Sequence, residues 1–303
     1  MTDKPRRADT EPYWASAVIG TGTREADDPR ASDMRTTAEI IAAYIKSQGN
    51  NDATELLATI HYRGGLEEFR AGMDLLASRD PRERAVGADV LAQLGWKDQT
   101  FLDESVDALL HALRDPEDAV VQSAIFALGH RASPRAIDAL LPFVTHPSAD
   151  FRDAVVHGLM PHDIPTVVEA MITLSRDSDR HVRDWATFTL ASQFASDSPA
   201  LRVALHERLA ESDPEIRGEA LVGLARRRDT SIAPAILREL EGEFHGDWAI
   251  EAAGLLGDSR FLPALTELGQ RITGENAVYF KGSLQSAIAA CEGRRGKSSS
   301  TLQ

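Results

Sequence analysis

The stretch DRHVRDWATFTLA at residues 179–191 returns as DPEIRGEALVGLA at residues 213–225, and this repetition decides the fold class. Weaker copies read SADFRDAVVHGLM (148–160) and EDAVVQSAIFALG (117–129), and the outermost copies read PRERAVGADVLAQLG (81–95) and GDWAIEAAGLLG (246–257). The copies return every 31 to 36 residues when they are aligned on one position, which is occupied by Ala85, Val121, Arg152, Arg183, Arg217, Ala249 and Lys281. This interval accommodates two short helices with their turns.

Apolar residues in the second half of each copy recur at helical spacing, as at Val182, Ala186 and Leu190. The segments that precede them, such as AIDALLPFV and TVVEAMITL, carry a second helical stripe. Proline-containing and acidic turns separate the two stripes and supply helix starts. Since one helical pair cannot bury its apolar face alone, neighbouring pairs must stack. The sequence predicts an all-α protein, an α-solenoid of about seven helical hairpins.

The two ends of the chain differ from the repeats. Residues 1–32 show no sustained periodicity, and we predict that they are poorly ordered. Residues 33–64 contain two amphipathic segments that are predicted to be capping helices. The repeats are assigned to residues 65–291, and residues 292–303 are predicted to be a disordered tail.

Composition narrows the classes of function. The chain has a formal net charge of -14, which disfavours nucleic acids and anionic membranes and favours a basic protein partner. Its single cysteine, Cys291, excludes a disulfide framework and a thiolate zinc site within this chain. No apolar run approaches a membrane span, and the N-terminus lacks a signal-peptide core, so we expect a cytoplasmic protein. No motif for a nucleotide, a cofactor or a catalytic nucleophile is present.

The repeat pattern resembles bacterial HEAT repeats of the PBS-lyase-like kind over residues 65–291. Four stretches together resemble an enterobacterial HEAT-repeat family that includes immunity proteins for Rhs polymorphic toxins: YRGGLEEFRAGMDLLASRDP (62–81), DRHVRDWATFTLA (179–191), EIRGEALVGLARRRD (215–229) and IEAAGLLGDSRFLPAL (250–265). The resemblance implies a HEAT-like fold and a binding role. Residues 1–32 lie outside it.

Arginines and aspartates recur near the start of the second helices, at Arg152, Arg183 and Arg217 and at Asp150, Asp179 and Asp213. One interpretation is a site for an anion. The favoured interpretation is a structural ladder, in which each arginine packs its stem and pairs with a carboxylate in the turn.

Three enzymatic alternatives are disfavoured. A di-iron hydroxylase of this fold needs several His-Glu dipeptides, and only His206-Glu207 is present, while His157 and His162 do not share a helical face. An alkylpurine DNA glycosylase would explain Trp185 beside Asp184, but no basic groove accompanies them. A phycobilin lyase rests on the repeat label alone. We therefore predict no enzyme, no metal and no cofactor.

The indication of a binding function comes from a helical-wheel projection of the second helices. It turns Asp184 and Phe188 away from the apolar stripe and puts Trp185 at its margin, on second helices that line the inner wall of a HEAT superhelix. The predicted partner-binding residues on this wall are Asp153, His157, Asp184, Trp185, Phe188, Glu219, Trp248 and Glu251. The alternative is that the aromatic residues pack between repeats while the acidic residues are solvated.

Two functions follow from this pattern. The first is a non-catalytic, immunity-like inhibitor that captures a basic partner, such as a toxin domain, on an acidic concave face. The second is a general scaffold or adaptor with a cellular protein as its partner.

Overall fold

A computed structural model describes residues 28–47, 51–243, 246–272 and 275–298. These residues form sixteen α-helices, several short 3₁₀ turns and one π-helical turn, with no strand among them. The chain divides into two compact units, Met1–His162 and Asp163–Gln303. No helix in the described ranges combines the length and the apolar character needed to cross a lipid bilayer.

The first unit contains eight α-helices in its described residues. They are α1 (Thr37–Ser47), α2 (Asn51–Arg63), α3 (Leu66–Leu76), α4 (Pro81–Ala92), α5 (Leu102–Ala112), α6 (Asp118–Arg131), α7 (Ile137–Leu140) and α8 (Ala149–Leu159). The 3₁₀ turns of this unit are Pro29–Ser32, Trp96–Asp98, Pro134–Ala136 and Leu141–Thr145.

The second unit contains the other eight. They are α9 (Pro165–Leu174), α10 (Arg180–Phe188), α11 (Pro199–Arg208), α12 (Pro214–Arg226), α13 (Ala233–Glu241), α14 (Trp248–Leu256), α15 (Leu262–Arg271) and α16 (Glu275–Ser298). The π-helical turn Thr189–Gln193 continues α10, and 3₁₀ turns lie at Thr230–Ile232 and Ser259–Phe261.

Helices pair along the chain as the repetition predicts. The pairs are α3/α4, α5/α6 and α7/α8 in the first unit, and α9/α10, α11/α12, α13/α14 and α15/α16 in the second. Within each unit the second helices of consecutive pairs pack side by side, α4 against α6 and α6 against α8, and α12 against α10 and α14. The prediction of an all-α protein built from about seven stacked hairpins is therefore confirmed.

Local sequence explains where these helices begin. Asp80, Asp179 and Asp213 precede α4, α10 and α12, and the carboxylate of each accepts a backbone N–H of the first turn. Proline occupies the first turn of α4, α9, α11 and α12, where its missing N–H removes no helical hydrogen bond. In the third pair, Pro142 lies inside the first helix, which is reduced to the short α7 and a 3₁₀ turn.

Two helices, α1 and α2, lie within residues 33–64, the range that the sequence assigns to capping helices. The buried Glu68 of α3 connects α1 to the repeats, since its carboxylate accepts the Thr37 hydroxyl at 2.8 Å. The same carboxylate accepts the backbone N–H of Gly65, the N-cap of α3, at 3.0 Å. The last helix, α16, runs to Ser298 and so continues past residue 291, where the sequence analysis places the end of the repeats. Residues 1–27, most of the segment predicted to be poorly ordered, lie outside the described residues, as do residues 299–303.

A buried guanidinium connects two pairs of the first unit. Arg131, the last residue of α6, is 1% exposed. Its Nε donates to the Leu91 carbonyl at 2.6 Å, and its Nη1 donates to the Leu94 carbonyl at 3.3 Å. Its Nη2 donates to the Ser105 hydroxyl at 3.2 Å. Burial lowers the pKa of Arg131 to about 10. The cation thus satisfies carbonyl groups at the end of α4, where the helix dipole favours positive charge.

Candidate partner-binding surface

The three predicted ladder arginines bind their turns in one geometry. Each donates from Nη1 to the two backbone carbonyls that lie six and five residues before it. The acceptors and distances are His146 (2.8 Å) and Pro147 (2.9 Å) for Arg152, Asp177 (2.9 Å) and Ser178 (3.0 Å) for Arg183, and Glu211 (2.9 Å) and Ser212 (2.9 Å) for Arg217. Each guanidinium therefore hydrogen-bonds to the backbone of the turn that joins the two helices of its repeat.

A fourth arginine, Arg84, makes the same contacts but is not identified by the repeat spacing. Arg84 donates from Nη1 to the carbonyls of Ser78 and Arg79, at 3.2 Å each. It lies four residues after the capping Asp80, just as Arg183 follows Asp179. The choice of Ala85 as the equivalent position is therefore wrong by one residue, and counting from the helix cap gives the correct register.

The carboxylates that pair with these arginines come from the following repeat. Nε of Arg183 is 3.3 Å from Glu211, Nε of Arg217 is 2.9 Å from Glu239, and Nε of Arg84 is 2.7 Å from Asp115. Asp179 and Asp213 instead cap α10 and α12, and Asp150 lies exposed in the first turn of α8. The expected pairing of Arg183 and Arg217 with the capping aspartates is wrong, because those oxygens accept backbone N–H groups.

We expect Arg217→Met to lower the free energy of unfolding by about 2–3 kcal/mol. The methionine keeps the apolar stem, but the turn loses two charge-assisted hydrogen bonds and Glu239 loses its partner. Urea denaturation followed by circular dichroism measures the change. Arg238→Met, on the neighbouring helix α13, is the matched control. Equal stability of the two variants would contradict the structural role of Arg217.

Four of the predicted binding residues are buried in the second unit. The exposed fraction is 0% for Asp184, 2% for Phe188, 3% for Glu219 and 7% for Trp185. The expectation that Asp184 and Phe188 point away from the packed residues is therefore wrong. Helix α10 contacts α9, α12 and the π-helical turn. These neighbours bury more of its surface than a helical wheel with a single apolar stripe predicts.

Asp184 lies in a group of charges at the N-terminal ends of α10 and α12. Its carboxylate is 3.7 Å from Nη1 of Arg180. Arg180 also contacts Asp213 at 2.7 Å and Glu215 at 2.9 Å. The pKa of the Arg180 guanidinium is raised, chiefly because it donates a hydrogen bond to Asp213. This guanidinium therefore joins the first turns of two consecutive second helices.

Trp185 and Phe188 pack against each other on α10. Their rings meet edge to face with centroids 5.7 Å apart. The indole Nε1 of Trp185 donates to Nε2 of His181 at 3.2 Å. Both rings are buried, which agrees with the alternative that they pack between repeats and not with exposure on the inner wall.

Glu219 of α12 and Trp248 of α14 form a hydrogen-bonded pair in the second unit. Nε1 of Trp248 donates to Oε1 of Glu219 at 3.3 Å, and the Ser192 hydroxyl lies 3.4 Å from Oε2. The indole lies directly over Gly218, where a Cβ would be 2.4 Å from Cγ of Trp248. The glycine thus permits the close approach that fixes the ring beside the carboxylate.

Glu251 lies on α14 and is partly exposed. It pairs with Arg226 of α12 at 3.1 Å, and the two side chains are 27% and 38% exposed. Arg226 lies on the same helix as Glu219 and also donates to the Ser192 carbonyl, at 3.3 Å. We call Trp248, Glu219, Glu251 and Arg226 the acidic wall.

Asp153 and His157 belong to the first unit. They lie one turn apart on α8, with His157 Nε2 at 3.8 Å from the Asp153 carboxylate. The imidazole stacks in a tilted arrangement on Phe126 of α6, with centroids 5.2 Å apart. These two predicted residues are thus adjacent to each other.

The residues considered for metal binding make other contacts. His206 Nε2 is 2.9 Å from Asp229, and Glu207 pairs with Arg176 at 2.7 Å. In the described part of the chain, no cluster of three or more His, Cys, Asp or Glu side chains is arranged to hold a metal ion.

Comparison with known proteins agrees with this architecture. Residues 71–160 match the family model of HEAT repeats. The chain is 27% identical over 214 residues to Protein YibA of Escherichia coli K12, an alignment that covers 68% of this chain and 75% of YibA. This similarity is homology to a HEAT-repeat protein.

One solved structure supports the fold. The X-ray structure of Escherichia coli YibA superimposes with a TM-score of 0.63 at 22% identity, covering 89% of this chain and 99% of YibA. The complex of CpcE and CpcF of phycocyanin lyase from Nostoc gives a TM-score of 0.41 at 20% identity and covers 52% of this chain and 99% of the matched one. The match to YibA supports the HEAT-type fold.

Proposed function

We propose that this HEAT-repeat protein is a non-catalytic binding module that captures a basic protein partner on the acidic wall of its second unit. The fold supplies a rigid scaffold of stacked helices. Function then depends on the side chains that the second helices present, because a repeat fold does not itself specify an activity.

The observation that carries the proposal is the fixed pair of Trp248 and Glu219. An aromatic ring held over a glycine and hydrogen-bonded to a carboxylate is already ordered before binding, so little rotamer entropy is lost when a partner arrives. Glu251 lies beside this pair and is partly exposed. Aromatic anchors next to carboxylates favour a partner that presents arginine or lysine.

The net charge of -14 supports the same class of partner. A negative field over the protein speeds association with a positively charged domain and weakens as salt is added. Within this class, the resemblance to immunity proteins favours a toxin domain, which the protein would inhibit by covering its cationic substrate surface. In the scaffold alternative, the same wall binds a cellular protein without inhibiting it.

Three of the predicted binding residues, Asp184, Phe188 and Glu219, are too deeply buried for substitutions there to test binding. Lysine at Asp184 or Glu219 would enter a buried position and damage the fold, and Phe188→Ala would open a cavity. Trp248→Ala combined with Glu251→Lys alters the accessible part of the wall instead. Glu169→Lys, at an exposed position of the first helix α9, gives the matched change of charge.

The experiment is affinity capture from the source organism, with each immobilised protein washed at low and at high salt. We expect the wild type and Glu169→Lys to retain the same basic protein at low salt. Its yield should fall at least about tenfold with the double variant, as for the loss of an interfacial anchor. Retention of that protein by the double variant, or capture of acidic proteins alone, contradicts the proposal. Inhibition of the captured protein's toxicity distinguishes an immunity protein from a scaffold.

A further inference from the structure

A groove lies between the first helices α3 and α5 of the first unit. Its volume is about 820 Å³. Met73, Leu76, Ala77, Ala108 and Ala112 form its apolar lining. This groove is separate from the acidic wall and is formed by the first helices of two consecutive repeats.

Arginines fill the corresponding place in the second unit. Arg208, the last residue of α11, donates to the carbonyl of Ser175, the residue that ends α9. Arg271, the last residue of α15, donates to the carbonyls of Leu240 and Gly242 at the end of α13, the latter at 2.9 Å. Each guanidinium therefore joins a first helix to the C-terminal end of the preceding first helix, where carbonyl groups favour a cation.

Alanine replaces this arginine at the groove. The last residue of α5 is Ala112, and the residue that ends α3 is Ala77. Neither side chain reaches across, so the space that a guanidinium and its stem occupy in the second unit stays open. The groove thus results from one change in the repeat pattern.

Carboxylates outnumber cations around the apolar lining. The exposed charged residues of α3 and α5 are five carboxylates and one arginine, namely Glu67, Asp74, Asp103, Glu104, Asp107 and Arg70. Glu104, Asp107 and Asp115 line the groove itself, together with His111 and Arg114. Asp115 pairs with Arg84. Asp107 pairs with Arg135, whose side chain is 49% exposed, so this is a solvent-exposed ion pair. An apolar channel with an acidic edge complements a helix with one apolar face and lysine or arginine beside it.

We propose that the groove between α3 and α5 binds a basic amphipathic helix of a protein partner, whose arginine or lysine takes the place that Arg208 and Arg271 fill in the second unit. The apolar face of the partner helix covers Met73, Leu76 and Ala108. One cation of the partner helix lies at the C-terminal end of α3, and another, about two turns away, lies beside Glu104 in the first turn of α5. This site is independent of the acidic wall, and each surface is tested by its own variants.

Binding of a synthetic probe tests the proposal. The probe is a fluorescent helical peptide of about four turns with leucine on one face and lysine on the other, and its partner control carries glutamate in place of lysine. We expect the lysine peptide to bind the full chain and the glutamate peptide to bind at least about tenfold more weakly, since like charges oppose it. Hydrogen exchange should slow at residues 73–77 and 104–116 when the lysine peptide is bound.

The variant Ala112→Arg should close the groove, because it introduces the residue that ends the first helices α11 and α15 in the second unit. The new side chain should join α5 to the end of α3 as Arg208 joins α11 to α9, so the melting temperature is retained and peptide affinity falls at least about tenfold. Glu104→Lys, at an exposed position, should weaken binding by about threefold to tenfold without altering the fold. Glu67→Lys, on α3 outside the groove, carries the same change of charge and should bind like the wild type.

Three results would overturn the proposal. One is equal binding of the lysine and glutamate peptides. Another is an Ala112→Arg protein that folds and binds like the wild type. The third is an equal loss of affinity in Glu104→Lys and Glu67→Lys, which would reveal attraction to the general negative charge. If Ala112→Arg does not fold, the comparison of Glu104→Lys with Glu67→Lys decides the outcome.

Discussion

Replacement of Arg131 by methionine is expected to lower the free energy of unfolding of the first unit by about 2–4 kcal/mol. Methionine fills much of the same volume, but the Leu91 and Leu94 carbonyls and the Ser105 hydroxyl lose their donor where water has little access. Unsatisfied buried acceptors and lost charge-assisted hydrogen bonds each cost about 1–3 kcal/mol. Removal of a buried cation recovers part of this cost, because burial already disfavours the charged form.

Arg135→Met is the control for that prediction. Arg135 follows Arg131 closely in sequence, yet it is about half exposed and pairs with Asp103 and Asp107 at the surface. Exposed ion pairs contribute about 0–1 kcal/mol. Thermal and urea unfolding of the two variants gives the comparison. Similar losses in both would mean that the buried guanidinium contributes no more than a surface pair.

Replacement of Gly87 by alanine is expected to destabilise the protein by about 2–3 kcal/mol. A Cβ at this position of α4 would lie 2.6 Å from the Leu76 nitrogen and 2.8 Å from the Gly72 carbonyl oxygen, both in the backbone of α3. Because backbone atoms cannot rotate away, the two helices must separate, and the overpacking cost exceeds the roughly 1 kcal/mol by which alanine favours a helix.

Gly282→Ala is the matched control, since a Cβ added at this position of α16 would meet nothing within 4 Å. Here the helix preference of alanine acts alone, and the expected result is a gain of up to about 1 kcal/mol. The two glycine variants should therefore shift the unfolding midpoint in opposite directions, as urea denaturation measures. A Gly87→Ala protein as stable as the wild type would show that α3 and α4 are not in backbone contact.

The repeat architecture follows from the sequence because its causes are local. Small residues at helical spacing fix which face of each second helix is packed, and Ala186 and Ala220 are both fully buried as that pattern requires. Aspartate caps and first-turn residues mark where α4, α10 and α12 begin. These signals depend on residues within one or two turns of each other, so a single sequence contains them.

The binding surface is less predictable from sequence, because exposure depends on every neighbouring element. Residue spacing brings the acidic and aromatic residues onto the second helices, but it does not show that Asp184, Phe188 and Glu219 are almost completely buried. Contact between Trp248 and Glu219 requires Gly218 to admit the indole, and that requires the packing of α12 against α14.

Sequence alone thus establishes an all-α chain of stacked helical pairs with strong negative charge and capped second helices. Tertiary packing sets which acidic residues stay accessible, how Arg131 and Arg84 hold helix ends and turns, and where a groove opens between first helices. The physical reason is the separation along the sequence of the residues that interact. Helix formation and capping depend on neighbours along the chain, whereas burial, carbonyl capture by Arg131 and Arg208 and the opening of grooves depend on side chains that are far apart in sequence and meet only after the repeats stack.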